Sequence, residues 1–281
     1  MACENGGMKL GIVGKGGVGK TTLSSLICQA YVAQGKRVLA VDTDSNPNLA
    51  MSLGLDEKTA DTAPVVPRAL VVGGGDGAMT PQRLIADYGL KTPFGVTLLH
   101  AMRVDQAGAG CTCTSHVTVR SLLGAAIEEE ADVTLVDMEA GLEHLSRSGG
   151  TLAYADVALM IMEPTVKSVV TAARTVPLAR ELGIPRVYGV GNKARLPGDA
   201  AFYVKATAEH GVPLAGIVPF DLAVGEADRR GGPLAPGRGD PVRRAVEQIL
   251  AFIDSPDEER VALLRERERI EARIAELTPQ A

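Results

Sequence analysis

A glycine-rich run near the start of the chain limits the possible folds more than any other feature. It lies between an apolar, strand-like segment at 8–13 and a segment whose apolar residues recur with helical spacing. The run matches the phosphate-binding pattern GxxxxGK followed by Ser or Thr, and its residues are Gly14, Lys15, Gly16, Gly17, Val18, Gly19, Lys20, Thr21 and Thr22. A strand, such a loop and a helix, in this order, form a site for the phosphates of a nucleotide.

The residue types in this run each have a chemical role. Glycine backbone N–H groups surround the β-phosphate, and the start of the helix adds a partial positive charge. Lys20 reaches the β- and γ-phosphates, and the Thr21 hydroxyl binds Mg²⁺. We therefore predict that residues 14–22 bind a nucleoside triphosphate with Mg²⁺ and that Lys20 takes part in catalysis.

Lys15 directly follows the first glycine, which an ordinary phosphate loop does not require. The GKGGxGKTT form resembles the deviant Walker A ATPases, which include nitrogenase iron protein, the septum-site and partition ATPases and several metallocentre-assembly ATPases. In that family the early lysine crosses a dimer interface to the partner's nucleotide. The resemblance therefore implies a homodimer that closes around ATP, with Lys15 as a catalytic residue; the alternative is a solvated loop lysine.

Aspartates end two of the predicted strands. Asp44 follows the strand at 37–42, and a carboxylate at this place can orient the attacking water. The family has its first switch segment here, so the resemblance implies that Asp44 has this catalytic role. Asp42 is an alternative position near Mg²⁺. Asp137 ends the strand at 133–137 and is predicted to orient Mg²⁺, although an aspartate there can also cap a helix. Gly141 would let the backbone approach the γ-phosphate.

The base of the nucleotide is predicted from the sequence around Asn192. GTPases have an NKxD motif whose carboxylate reads guanine, whereas this chain has Arg195 in the fourth place. Adenine is therefore favoured, with Asn192 at its edge. The loop containing Pro219 and Asp221 resembles the family segment that closes over the base.

Strand-like and helical segments alternate along most of the chain, which has 281 residues and is 46% hydrophobic. This alternation predicts a single α/β phosphate-loop domain over 8–254, with a largely parallel sheet of about seven strands and helices on both faces. The strand-like runs are at 8–13, 37–42, 96–102, 133–137, 156–162, 186–191 and 214–218. Residues 1–7 are predicted to be a disordered extension, 55–93 an irregular surface excursion, and 255–281 a C-terminal amphipathic helix and tail.

Charge and hydropathy exclude several kinds of partner. The net charge is −5 and the isoelectric point is near 5.5, so we expect no nucleic-acid partner. There is no signal-peptide pattern and no apolar run near the roughly 20 residues of a membrane span, so we expect a cytoplasmic protein without a membrane partner. The C-terminal helix also lacks the basic face of a membrane-targeting helix.

Two cysteines, Cys111 and Cys113, are separated by one residue. Such a tight loop strains a disulfide, but two thiolates form half of a tetrahedral metal site. Zn²⁺ or Ni²⁺ would be held by four cysteines if the dimer axis passes beside this loop. His116 is a possible third ligand, and two ordinary buried cysteines remain the alternative; Cys28, on the first helix, fits that alternative well.

The segment around these cysteines narrows the resemblance. The CxC pair and the sequence DMEAGLEHLSR at 137–147 look very like the carbon monoxide dehydrogenase accessory ATPases. This likeness implies nickel insertion into a client metalloenzyme of the carbon monoxide dehydrogenase or acetyl-CoA synthase type. Two other functions stay open: a septum- or partition-type positioning ATPase, and an iron–sulfur reductase component like nitrogenase iron protein.

Overall fold

The computed structural model describes residues 7–67, 70–72, 78–102, 113–125, 130–138, 151–257 and 260. An eight-stranded sheet lies at the centre, with the strand order β3-β4-β2-β5-β1-β6-β7-β8. The strands are β1 Met8–Gly14, β2 Val38–Asp42, β3 Leu90–Lys91, β4 Thr97–His100, β5 Val133–Asp137, β6 Val157–Met162, β7 Arg186–Ala194 and β8 Leu214–Pro219.

The seven predicted strands are all present, and they run parallel to one another. Every residue of β2, β4, β5 and β6 is buried, as expected for strands that are covered on both faces. The two-residue β3 adds an antiparallel edge beside β4. The fold class predicted from the sequence is confirmed.

Helices cover both faces of the sheet. The apolar residues of α1, α2, α8 and α9 pack in one cluster with one face, and those of α4, α5, α6 and α7 pack in a second cluster with the other. The helices are α1 Lys20–Ala33, α2 Leu49–Ser52, α3 Glu57–Asp61, α4 Pro81–Tyr88, α5 Cys113–Gly124, α6 Val166–Glu181, α7 Asp199–Glu209, α8 Leu222–Arg229 and α9 Asp240–Asp254. None of these described helices has the length and apolar character needed to cross a membrane.

The predicted surface excursion at 55–93 holds only in part: many of its described residues are exposed, but the segment also contains α3, α4 and β3. Leu84, on α4, is completely buried, and Val66 is also buried. The Val66 N–H donates to the His100 carbonyl oxygen at 2.8 Å, so this segment completes the edge of the sheet at β4. Prolines and glycines made the segment look irregular, but its apolar residues are used in the core. The N-terminal extension at 1–7 lies outside the described residues except for Gly7, and 261–281 of the predicted C-terminal helix lies outside them as well.

Tyr203 links two strands from the helix that covers them. Its hydroxyl is buried and donates to the carbonyl oxygen of Asn192, with the Met162 carbonyl oxygen a second acceptor at 3.0 Å. The ring occupies the space above Gly191, where an added Cβ would lie 2.7 Å from the ring. The ends of β6 and β7 are therefore held together by one side chain.

Tyr203→Phe should lower the free energy of unfolding by about 1–3 kcal/mol, because the hydroxyl proton shared between the buried carbonyl oxygens of Asn192 and Met162 is lost while the ring packing is kept. Urea unfolding followed by circular dichroism measures this change. Tyr188→Phe is the matched control, since Tyr188 packs edge-on against Phe252 and should lose less. Equal losses in the two variants would contradict this role of the Tyr203 hydroxyl.

Candidate nucleotide site

The predicted phosphate loop joins β1 to α1 at the carboxyl end of an internal strand. β1 lies between β5 and β6, and ligands of parallel sheets bind at this edge. Gly17 and Gly19 have φ values of 79° and 95°, which side chains rarely adopt. Gly19 is also the N-cap residue directly before α1. The loop thus brings backbone N–H groups to the positive end of a helix, an arrangement suited to anionic phosphate.

The two lysines of the loop lie in different surroundings. Lys20 is buried, and its Nζ donates to the Lys15 carbonyl oxygen at 3.2 Å, so the ammonium group lies within the curve of the loop. The Lys15 side chain is exposed to solvent. Exposure suits a lysine that would reach another chain, and the role of Lys15 across a dimer stays a prediction.

Asp137 occupies the predicted Mg²⁺-orienting position. It ends β5, opposite Ile12 of β1 and Asp42 of β2. Burial raises the pKa of its carboxyl group, while the neighbouring Thr21 hydroxyl and Lys20 ammonium group oppose that shift. Its Oδ1 is buried without a hydrogen-bond partner. An orphaned carboxylate oxygen beside a threonine hydroxyl fits a divalent cation with oxygen ligands, so Thr21 and Asp137 together suit Mg²⁺.

Asp42 has a structural role that the sequence left open. Its side chain is 1% exposed. Oδ1 accepts a hydrogen bond from the Asp44 N–H at 3.0 Å, and Oδ2 accepts one from the Leu49 N–H at 3.1 Å. Burial and the adjacent Asp137 raise the pKa of Asp42, and these two hydrogen bonds oppose the rise. One carboxyl group therefore fixes both ends of the loop that carries Asp44.

Asp44 lies at the same edge of the sheet and is half-buried. Its negative charge adds to the rise in the pKa of Asp137. Oδ1 accepts a hydrogen bond from the Asn46 N–H at 2.9 Å, and this local turn shapes the segment before Pro47. The catalytic role of Asp44 remains a prediction.

Asn192 contacts the phosphate loop. Its Nδ2 donates to the Val18 carbonyl oxygen at 2.7 Å, and a Cβ at position 19 would lie 2.4 Å from Nδ2. Next to it, the Lys193 Nζ donates to the Gly17 carbonyl oxygen. These contacts were not foreseen from the sequence, which indicated only adenine recognition for Asn192. That contact with adenine is still untested.

The two segments predicted to contact the base, one after Asn192 and the other at 218–221, lie side by side. Pro219, the last residue of β8, pairs with Ala194 of β7. Asp221 caps α8 and accepts a hydrogen bond from the Ala223 N–H at 2.7 Å. The guanidinium group of Arg195 lies 5.0 Å from the centre of the Phe220 ring, which is a cation–π contact. Contacts of these loops with adenine stay a prediction.

Several predicted site residues fall outside the described part of the chain. Gly141 and Cys111 are among them, while Cys113 begins α5 with its side chain, like that of His116, not described. Cys28 is a free, buried cysteine, as predicted. Within the described residues no group of three or more His, Cys, Asp and Glu side chains could hold a metal ion. The proposed cysteine metal site is therefore not tested by the structure.

Comparison with known proteins places the chain in a family. The model of the CobQ/CobB/MinD/ParA nucleotide binding domain matches residues 12–234. The carbon monoxide dehydrogenase accessory protein CooC of Rhodospirillum rubrum is 33% identical over 240 residues, which cover 80% of this chain and 88% of that protein. An uncharacterised ATP-binding protein of Methanocaldococcus jannaschii is 33% identical over 258 residues, or 88% of this chain and 97% of its own. The solved septum site-determining protein MinD of Pyrococcus horikoshii, in complex with Mg-ADP, has a TM-score of 0.67 at 20% identity, covering 88% of this chain and 96% of its own.

The chain belongs to the CobQ/CobB/MinD/ParA family of nucleotide-binding domains. It is a phosphate-loop ATPase that resembles CooC, as the sequence indicated. The MinD structure confirms the fold.

Asp42→Ala should release the loop that carries Asp44, because both amide groups lose their acceptor. We expect faster hydrogen–deuterium exchange at the Asp44 and Leu49 amides, and a kcat for ATP hydrolysis at least about tenfold lower. Asp56→Ala is the control: Asp56 caps α3 by accepting from the Thr59 N–H, so its loss should lower the stability of the protein only slightly and leave hydrolysis intact. Unchanged exchange at both amides in Asp42→Ala would contradict the proposed restraint.

Proposed function

We propose that this protein is a Mg-ATP-dependent homodimeric ATPase that acts like a metallochaperone and assists nickel insertion into a client metalloenzyme. The client would be of the carbon monoxide dehydrogenase or acetyl-CoA synthase type, as the likeness to CooC suggests. The observation that carries the proposal is the connection between the nucleotide site and the cysteine helix α5. Val119, Leu122 and Leu123 of α5 pack in one cluster with Val136 and Met138, which flank Asp137.

Hydrolysis would use residues that the fold brings to one edge of the sheet. The loop N–H groups and Lys20 bind and orient the phosphates. Asp44 holds and orients the attacking water, while Asp42 keeps the Asp44 segment in place. Bound Mg²⁺, held by Thr21 and oriented by Asp137, would supply charge stabilisation for the transferred phosphoryl group. Lys15 would complete the site of the partner chain.

Mixed dimers test whether the site is shared between chains. Lys15→Ala and Asp44→Asn should each be inactive, but an equal mixture should recover about a quarter of wild-type ATPase activity. The reason is that half of the dimers are mixed and each mixed dimer has one intact site. Phosphate release measured after exchange of subunits gives the result.

A mixture of Lys20→Ala and Asp44→Asn is the matched control, because both residues serve the site of their own chain and no intact site can form. Recovery in this mixture as well would contradict the assignment, and so would normal hydrolysis by Lys15→Ala alone.

The cysteine pair would bind the metal across the dimer. Two thiolates from Cys111 and Cys113 of each chain make a four-sulfur site for Zn²⁺ or Ni²⁺. Two ligands from one chain bind weakly, so metal binding and dimerisation are linked. Because α5 and the end of β5 belong to one apolar cluster, loss of the γ-phosphate near Asp137 and Gly141 would alter the distance between the cysteine pairs. Metal release to the client would then depend on hydrolysis.

We expect one Zn²⁺ or Ni²⁺ per dimer in anaerobically purified protein, and loss of that metal in both Cys111→Ser and Cys113→Ser. Metal analysis together with the mass in solution, with and without a nonhydrolysable ATP analogue, measures both quantities. Cys28→Ser is the control and should keep the metal, because Cys28 is buried in the core. One metal per monomer, or metal unaffected by either cysteine substitution, would refute the shared site. Brown protein with a broad absorption shoulder would instead favour the iron–sulfur alternative.

A further inference from the structure

The end of β7 has an irregular backbone beside the phosphate loop. Its pairing with β8 shifts register between Gly191 and Ala194. Lys193, within this interval, has a φ of 59° and is alone among non-glycine residues of the described chain in having a positive φ. Such irregularities redirect side chains next to functional sites. A lysine in the left-handed region is held there by its contacts, because its own backbone preference opposes it.

Lys193 has two such contacts. Its Nζ donates to the Gly17 carbonyl oxygen and lies 2.8 Å from Oε1 of Glu163, the residue after β6. The two charged side chains are 40% and 36% exposed, and ion pairs at such exposure add little to stability. The pair therefore serves to fix the direction of the lysine side chain, which reaches from β7 to the phosphate loop.

The geometry of the peptide bond gives this contact a functional effect. The C=O of one residue and the N–H of the next point in opposite directions across a trans peptide, and the described chain has no cis peptide bond. When Lys193 holds the Gly17 carbonyl toward β7, the Val18 N–H must point away from β7. Asn192 holds the Val18 carbonyl in the same way, so the Gly19 N–H also points away from β7.

We propose that Lys193 is a positioning residue for phosphate binding: restrained by Glu163, it holds the Gly17 carbonyl so that the Val18 N–H faces the β-phosphate. The β-phosphate is common to ATP and ADP, so Lys193 acts on the affinity for both nucleotides. Lys193 therefore affects the binding step, and the rate at which bound ATP is hydrolysed stays unchanged. Because the proposal concerns nucleotide binding, its outcome is independent of nickel delivery and of the cysteine pair.

Lys193→Gly is the main test, because glycine adopts the positive φ without strain and removes only the side-chain contacts. We expect the Kd of both ADP and ATP to rise about tenfold, measured by calorimetry at 25 °C with Mg²⁺. The melting temperature should stay at or above that of wild type, and kcat at saturating ATP should stay within about twofold. Hydrogen exchange at the Val18 amide should become faster.

Two further variants keep the test decisive. Lys193→Asn also tolerates the left-handed region and should weaken both nucleotides if Lys193→Gly does not fold. Glu163→Gln keeps an oxygen acceptor for Lys193 but loses the charge, so its Kd values should lie between those of wild type and Lys193→Gly. Wild-type affinity for ADP and ATP in folded Lys193→Gly or Lys193→Asn overturns the proposal. A lower melting temperature with unchanged affinity also overturns it, since that result means a role in stability alone.

Discussion

Two carboxyl groups, those of Asp42 and Asp137, are buried on neighbouring strands, and the arrangement of the site depends on how each is compensated. They lie opposite each other in the pairing of β2 with β5, and burial raises the pKa of both. An uncompensated buried charge is costly. Asp42 is compensated by two backbone N–H groups, whereas Asp137 keeps one oxygen without a hydrogen bond. The first carboxyl group therefore organises the backbone, and the second is left for a cation.

The phosphate loop is shaped from two directions. One contribution is local: the chain runs from β1 through Gly17 and Gly19, which have positive φ values, into α1. On the other side the end of β7 contacts the outward carbonyl oxygens through Asn192 and Lys193. β6 lies between β1 and β7 in the sheet, and its following residue, Glu163, restrains Lys193. The loop conformation is thus a property of three strands, although its sequence motif covers only one strand end.

The sequence was sufficient for the sheet because parallel strands buried on both faces are continuous apolar runs. It was also sufficient to place Asp137 and Thr21 together, since strand ends meet at one edge. Two-residue β3 carries no periodic pattern and was missed. The burial of Leu84 was missed because proline and glycine around it suggested an irregular surface. The contacts of Lys193 depend on an irregular pairing and on residues far apart in the chain, and no local pattern indicates them.

The close approach of Asn192 to Gly19 bears on any attempt to redesign which base the site accepts. A Cβ at position 19 would lie only 2.4 Å from the Asn192 amide nitrogen. A larger side chain at either position would therefore clash with the other. Any substitution of Asn192 that removes its amide also releases the Val18 carbonyl, so the predicted contact of Asn192 with adenine cannot be altered without disturbing the phosphate loop. Arg195 and Phe220 stack on each other at the surface. Neither side chain takes part in the hydrogen bond to the Val18 carbonyl, so substitutions at these two positions leave that contact with the phosphate loop in place.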